Sequence, residues 1–435
     1  MAATPTPNLN PGSESHDKGA PHGAPLHFPK SGRSPSLHYT NPISMRLFER
    51  KSVRAGILVI LVALALLSAA QGLRNAWLQS QDLQWSGARM LMGRIDPWAD
   101  ALQKDPHHMI LKSQIPNYLP LLYLLMLPLG ILPLAAAQIV WALCNLAFAA
   151  LSAWLAARFY GLGKSMTLAV LCLILMATPT RVTIGNGQYG LLVLVLWCVS
   201  LLAIRITDAR AMVAGVSYVK FNFAPPLLLY FLMKSGLRRA LTSLVPVLVG
   251  AVLVCLWLGE WHSSRQILDF AAAPLRVAET GYFPRLGGSN LMDMIEPGLI
   301  GLHVPFHWLN PITTSVALLA WGVLLYYCLR RGPDAVRWHI ALLGLASYAL
   351  FRHHPYDAVT LLFPLCYALE RWRSPQSKLV IVIISYCWYL QRLLDFVDPY
   401  SKVLPKVEFL LLVLAMALIY RIGPETQPTV VTAPA

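Results

Sequence analysis

From residue 54 to residue 421 the chain is a succession of apolar runs, and its few charges collect in the gaps between them. A helix needs about 20 apolar residues to cross a bilayer, fewer if it is short or broken. The runs fall at roughly 54–74, 118–131, 135–157, 165–180, 189–206, 211–232, 239–258, 311–329, 338–352, 356–370, 379–394 and 404–421. Only 13% of residues are charged, against roughly 25% in a soluble domain. The pattern predicts an all-α polytopic membrane protein with about twelve transmembrane helices.

The net charge of +15 would point to nucleic acid in a soluble chain. Here the lysines and arginines sit in short loops between apolar runs, as the positive-inside rule requires. No nucleic-acid motif accompanies them, so no nucleic-acid partner is expected. The seven cysteines all lie inside apolar runs with no CxxC spacing, and read as small buried hydrophobes. Residues 1–44 are rich in Pro, Gly, Ser and His and read as a disordered tail, as do residues 423–435. Residues 45–422 form the membrane domain between them. The first run follows some fifty residues of tail, so it reads as an uncleaved anchor and not as a signal peptide.

Arg46, Arg50, Lys51 and Arg54 precede the first run and place the N-terminus inside. Lys234/Arg238/Arg239, Arg330/Arg331/Arg337 and Arg371/Arg373/Lys378 mark later inside loops. Residues 75–117, 259–310, 353–356 and 395–403 then fall outside. Arg158/Lys164 and Arg205/Arg210 also look cytoplasmic, which simple crossings do not allow, so the side of residues 181–188 stays open. Segments 75–117 and 259–310 far exceed the two to eight residues that usually join helices, and long loops concentrate function.

Twenty carboxylates are few in 435 residues, so each outside one is informative. Asp82 precedes Leu83, Trp85, Ala88, Met90, Leu91 and Met92, an amphipathic stretch suited to a helix lying on the bilayer surface. There it can either cap the helix or take a proton. Asp96, between Gly93 and Pro97, reads as a turn residue. NYLPLLYLLMLPLGILP (117–133) puts Tyr118 at the interface before a proline-started helix. IGNGQYG (184–190) offers Asn186 and Gln188 to hydroxyls on a glycine-rich turn. Lys220 lies in an apolar stretch broken by Pro225 and Pro226; it either snorkels to the interface or, as a buried ammonium, faces a polar cavity with a partner. FRHHPYD (351–357) gathers Arg352, His353, His354, Tyr356 and Asp357 at one membrane rim, either an interfacial anchor or an anion site, and a poor metal site. GGSN (287–290) ends in Asn290, either a flexible turn or a ligand contact. No DxD triplet occurs, so a metal-bridged nucleotide-sugar site is disfavoured, and neither metal nor cofactor is expected.

A carboxylate base, a buried cation, an Arg/His cluster and several amides suit transfer of a sugar from a lipid phosphate to a hydroxyl. A transporter or flippase for a lipid-linked or anionic solute is the alternative; a non-catalytic scaffold is a third. DLQW (82–85), GRIDPW (93–98), the 117–133 segment, the NGQ turn, Lys220 and the late histidines stand in the order that glycosyltransferase family 87 shows. The chain thus resembles that family of the GT-C superfamily, whose members use polyprenyl-phosphate sugars. Trp98 stands where a tyrosine is usual, and Tyr118-Leu119-Pro120 where tyrosine-proline-proline is usual.

The resemblance implies a GT-C-like bundle in the plasma (inner) membrane, both termini cytoplasmic and the site on the periplasmic face. It implies Asp82 as general base. Lys220, Arg352, His353 and His354 would face the donor phosphate, and Tyr118, Asn186, Gln188 and Asn290 the substrates. The implied partners are a polyprenyl-phosphate sugar, mannose by preference, a lipid or glycan acceptor, and the membrane lipids. The implied reaction inverts the anomeric carbon.

Overall fold

A computed structural model describes residues 51–112, 114–203, 206–259, 263–280, 289–390, 394 and 403–424. The chain divides into Met1–Val53 and Arg54–Ala435, and the second unit carries the helices that build the site. Its described residues are helical, with no strand. The expected N-terminal tail, Arg46, Arg50 and residues 425–435 of the expected C-terminal tail lie outside the described residues.

Four helices are long and apolar enough to cross a membrane alone: Ala55–Leu78, Leu134–Phe159, Leu237–Leu258 and Phe306–Arg331. A fifth crossing is available from Lys164–Met176 and Thr178–Asn186, bent by 55° at their junction. Of the other expected spans, Pro120–Ile131, Gly190–Leu201 and Val336–Leu350 are short apolar helices. Run 211–232 is broken at Lys220, and run 356–370 opens as a 3-10 helix, Pro355–Leu361. The twelve apolar runs are therefore not twelve uniform helices. The sequence signal measured apolarity, whereas proline and packing decide where helices stop.

We number the helices that build the site and its surroundings. They are α1 (Lys51–Leu78), α2 (Trp85–Met92), α3 (Pro97–Leu102), α4 (Pro120–Ile131), α5 (Leu134–Phe159), α6 (Lys164–Met176), α7 (Thr178–Asn186) and α8 (Gly190–Leu201). There follow α9 (Asp208–Val216), α10 (Ala224–Ser235), α11 (Leu237–Leu258), α12 (Ser264–Thr280), α13 (Leu291–Gly301), α14 (Phe306–Arg331) and α15 (Val336–Leu350). Helix α1 keeps Val59, Leu66 and Leu67 about two-thirds exposed, an apolar outer surface that suits lipid. Helix α15 is its opposite, buried from Trp338 to Leu350. It carries the core from which the residues of the 351–357 rim project.

The α2 stretch differs from the expected bilayer-surface helix. Ala88, Met90 and Leu91 are fully buried, and α2 packs on α4. Gly87 lies so close to Tyr123 that a Cβ would sit 2.3 Å from its ring. Trp85 Nε1 donates to Leu132 O at 3.0 Å, and Arg89 to Gly130 O at 3.0 Å. Amphipathicity was read correctly, but the apolar face meets protein. Periodicity alone does not distinguish lipid from a neighbouring helix.

The two long segments, 75–117 and 259–310, also pack on each other. Helix α12, from the second long segment, buries Phe270, Ala273 and Val277, and Phe270 meets Trp98 edge-on at 6.2 Å. Trp257 Nε1 donates to Leu91 O at 2.6 Å. Asp96 caps α3, accepting from Trp98 N at 2.8 Å and Ala99 N at 3.0 Å. Burial pushes its carboxyl up, and those two backbone bonds oppose the shift. The turn role expected of Asp96 is thus a helix cap.

Helices α9 and α11 approach closely at Gly215, where a Cβ would lie 1.8 Å from the carbonyl oxygen of Ser243. Gly215→Val must separate the two helices. A loss of about 1–3 kcal/mol is expected for such overpacking. Thermal unfolding in detergent checks it; an unshifted midpoint would contradict this packing.

Candidate active site

Three breaks in helices build the site. The first follows α7. Pro179 starts that helix, and Gly187 ends it with φ +72°, a left-handed conformation that glycine adopts without a Cβ penalty. The first outer segment lies on this turn. Ser80 N donates to Gly185 O at 3.2 Å and Asp82 N to Asn186 O at 2.9 Å. A Cβ on Gly187 would fall 2.7 Å from that of Leu83. The 184–190 turn therefore packs against the segment that carries Asp82.

The second break holds Lys220. Helix α9 ends at Val216, and two 3-10 turns, Ser217–Val219 and Phe221–Phe223, flank Lys220 in an extended conformation. Pro225 and Pro226 have no N–H to donate to residues 221 and 222, so an α-helix cannot run through. The break turns the lysine side chain into the protein, where it is 6% exposed. The third break is the segment after α15, where Phe351 leaves the helix extended and Pro355 begins the 3-10 turn.

These breaks meet in one buried network. Lys220 Nζ pairs with Asp357 Oδ1 and donates to Gln188 Oε1 at 3.4 Å. Tyr118 OH donates to the same Gln188 oxygen at 3.1 Å. Tyr118 packs on the Tyr189 ring at 5.0 Å, and the charge of Asp82 bears on both phenols. Asp357 Oδ2 lies 3.2 Å from His353 Nδ1 and accepts from Asn222 Nδ2 at 3.4 Å and His354 N at 3.3 Å. His353 Nε2 lies 3.4 Å from Ser347 Oγ. The Tyr356 ring covers the ammonium of Lys220 at 4.6 Å, and the His354 ring stacks on it at 4.8 Å.

Of the expected site residues, Tyr118, Gln188, Lys220, His353 and His354 are thus in one network. Asp82 and Asn186 adjoin it through the turn. Asp82 is half-buried, and it does not cap α2, whose N-cap is Gln84. Arg352 and Asn290 stand apart. Arg352 Nε donates to Asp293 Oδ1 at 2.8 Å, and its guanidinium also pairs with Glu296. Asn290 caps α13, accepting from Asp293 N at 3.0 Å and donating to Asp293 Oδ2 at 2.6 Å. Arg352 therefore clamps α13 of the second outer segment to the rim, through carboxylates that are themselves buried.

Removing one member of such a clamp leaves buried charge uncompensated, at a cost of about 3–5 kcal/mol. Arg352→Ala is accordingly expected to raise hydrogen exchange across residues 291–301. Exchange there equal to wild type would show that the clamp does not hold the helix.

Asn222 was not singled out from the sequence, and Asp357 was named only as a member of the 351–357 rim, with no role of its own. Both stand inside quoted motifs, FRHHPYD and SYVKFNFAPP. The available signal was Lys220 itself, since a buried lysine requires a counter-ion. Among the described residues, no group of three or more His, Cys, Asp or Glu side chains is arranged to hold a metal ion.

The sequence model of glycosyltransferase family 87 matches residues 117–376. This stretch contains the Gln188–Lys220–Asp357 network and the Arg352 clamp. Comparison with curated proteins finds no match, and neither does comparison with solved structures.

Proposed function

The chain belongs to glycosyltransferase family 87, and on that premise we propose that it transfers a sugar from a polyprenyl-phosphate donor to a hydroxyl of a lipid or glycan. Mannose is the sugar we favour. Asp82 is the general base, and the site opens on the periplasmic face of the plasma membrane, with both termini in the cytoplasm.

The supporting observation is the pairing of unlike environments at one turn. A half-buried carboxylate, Asp82, rests on the Asn186–Gln188 turn, whose Gln188 side chain reaches a buried ammonium, Lys220. A base needs access to the acceptor. A cation that meets developing negative charge acts most strongly away from water.

In the reaction, the acceptor oxygen attacks the anomeric carbon as its proton passes to Asp82. The bond from that carbon to the phosphate oxygen breaks, and its electron pair leaves with the phosphate. One displacement inverts the centre, as in inverting glycosidases, with an acceptor hydroxyl in place of water. The donor phosphodiester carries one negative charge and the departing monoester up to two, so the demand for positive charge rises along the reaction. Lys220 meets it, with His354 at the rim, the phosphate sharing the ammonium with Asp357. Arg352 and His353 also hold protein partners; in this reading they shape the site, and a phosphate would reach Arg352 only by displacing a carboxylate. Asn186, Gln188 and Tyr118 face the substrates, and Asn290 acts through Asp293.

Radiolabelled polyprenyl-phosphate-mannose incubated with purified protein and membrane lipids tests the reading. Label is expected in a new glycosidic bond, with polyprenyl phosphate released in equal amount. Movement of the intact lipid-linked sugar across liposomes, with no bond formed, would establish the transporter reading instead.

A further inference from the structure

We propose that Asn222 selects the donor by accepting a hydrogen bond from one hydroxyl of the transferred sugar. The proposal rests on the glycosyl-transfer reading above and adds a specificity-determining residue to it.

The orientation of the Asn222 amide follows from its partners. Its nitrogen faces Arg352 O at 3.3 Å and Asp357 Oδ2 at 3.4 Å, both acceptors only, and His353 Nδ1 at 3.1 Å, which accepts in the tautomer protonated at Nε2. The nitrogen side is therefore the donor side, and Oδ1 points away from those groups. That oxygen is buried and has no hydrogen-bond partner. Gln188 is fixed by the same logic. Lys220 Nζ, which can only donate, lies 3.4 Å from Gln188 Oε1, so the other atom is the amide nitrogen. Gln188 Nε2 is likewise buried and without a partner, in a residue that is fully buried.

Lys220 and Asp357 link these two orphaned atoms, so one network ends in an unused acceptor on one side and an unused donor on the other. Buried polar groups are nearly always paired, and an unpaired one costs free energy that a packed core would not tolerate for nothing. Repacking the amides would not relieve it, because their other atoms are committed to Asp357, Arg352 O and Lys220. A hydroxyl is the group that fits both ends, since it donates one hydrogen bond and accepts others. A sugar hydroxyl supplies the donor that Asn222 Oδ1 lacks. A chain of apolar lipid offers neither, and a phosphate offers no donor to Asn222. The sugar is thus the part of the donor that Asn222 reads. Sites built to bond a substrate hydroxyl reject the analogue lacking it far more strongly than apolar pockets do.

The test is a substrate–protein double-mutant cycle with wild type and Asn222→Ala. The probes are polyprenyl-phosphate-mannose and its monodeoxy analogues, each missing one hydroxyl. In wild type, one analogue is expected to lose roughly tenfold or more in kcat/KM. In Asn222→Ala the parent donor falls to the level of that analogue, and the two become equivalent within a factor of two or so. Each ratio is taken on one preparation, so a partly misfolded variant does not distort it. If Asn222→Ala gives no activity, Asn222→Ser, which keeps a short acceptor, enters the same cycle.

A uniform loss across all donors would make Asn222 structural and overturn the proposal. So would a wild-type enzyme indifferent to every deoxy analogue. An absence of transfer by wild type with any polyprenyl-phosphate sugar would instead overturn the function on which it rests.

Discussion

Asp82→Asn is expected to abolish sugar transfer while the protein still folds and inserts. The substitution removes a proton acceptor and its negative charge. The backbone bond from residue 82 to Asn186 O, which docks the outer segment on the turn, involves no side-chain atom. Asp82 does not cap α2, so the helix loses no cap. The asparagine occupies the same volume and still hydrogen-bonds, yet it cannot take a proton from an attacking hydroxyl. General-base catalysis contributes about 10²–10⁴-fold, so residual activity should fall below a tenth of wild type and in practice far lower. Transfer assayed beside thermal unfolding separates the chemical loss from a folding defect. Retention of more than a tenth of wild-type activity, with normal stability, would remove Asp82 from the base role.

The second large effect concerns Lys220 and Asp357. Their side chains are 6% and 0% exposed, and Asp357 also receives Asn222, His353 and the His354 amide. Asp357→Leu alone would leave a buried ammonium without its counter-ion, at a cost of about 3–5 kcal/mol. Lys220→Met alone would strand the carboxylate in the same way. The double substitution Lys220→Met/Asp357→Leu removes both charges and should recover most of that stability, because replacing a whole buried pair by apolar groups is often neutral. It should not recover activity, since no cation would remain at that point to meet the leaving phosphate. A double variant that is both stable and active would show that the pair serves the fold alone. One as unstable as either single variant would show that the other members of the network, and not charge balance, set the cost.

The scaffold reading makes the opposite forecast for the same positions. It allows Asp82, Lys220 and His353 to be replaced together without functional loss. His353 is instead fixed between Asp357, Asn222 and Ser347, and its ring lies 4.4 Å from that of Phe223. A surface contact would not need so many internal bonds.

Much of this arrangement was legible in the chain because it depends on local chemistry. Proline and glycine told where helices break, and those breaks carry Lys220, the 184–190 turn and the 351–357 rim. The cost of burying an ammonium told that Lys220 has a partner. The partner's identity was not legible, because Asp357 lies 137 residues away in sequence. Arg352 shows the same limit. An Arg beside two histidines reads as an anion site, and only the fold brings Asp293 and Glu296 of another segment onto it. The α2 face failed for a related reason: lipid and a neighbouring helix reward the same apolar stripe. Span counting was weakest of all, since among the described residues seven of the twelve apolar runs are short, bent or interrupted.

The central claim is a single displacement driven from Asp82, and the configuration of the product tests it most directly. Purified protein, a β-linked polyprenyl-phosphate-mannose donor and a hydroxyl acceptor should give a product whose anomeric configuration is read by NMR. The account predicts an α-linked mannoside. A β-linked product would require a double displacement through a covalent sugar–enzyme intermediate, and would contradict it.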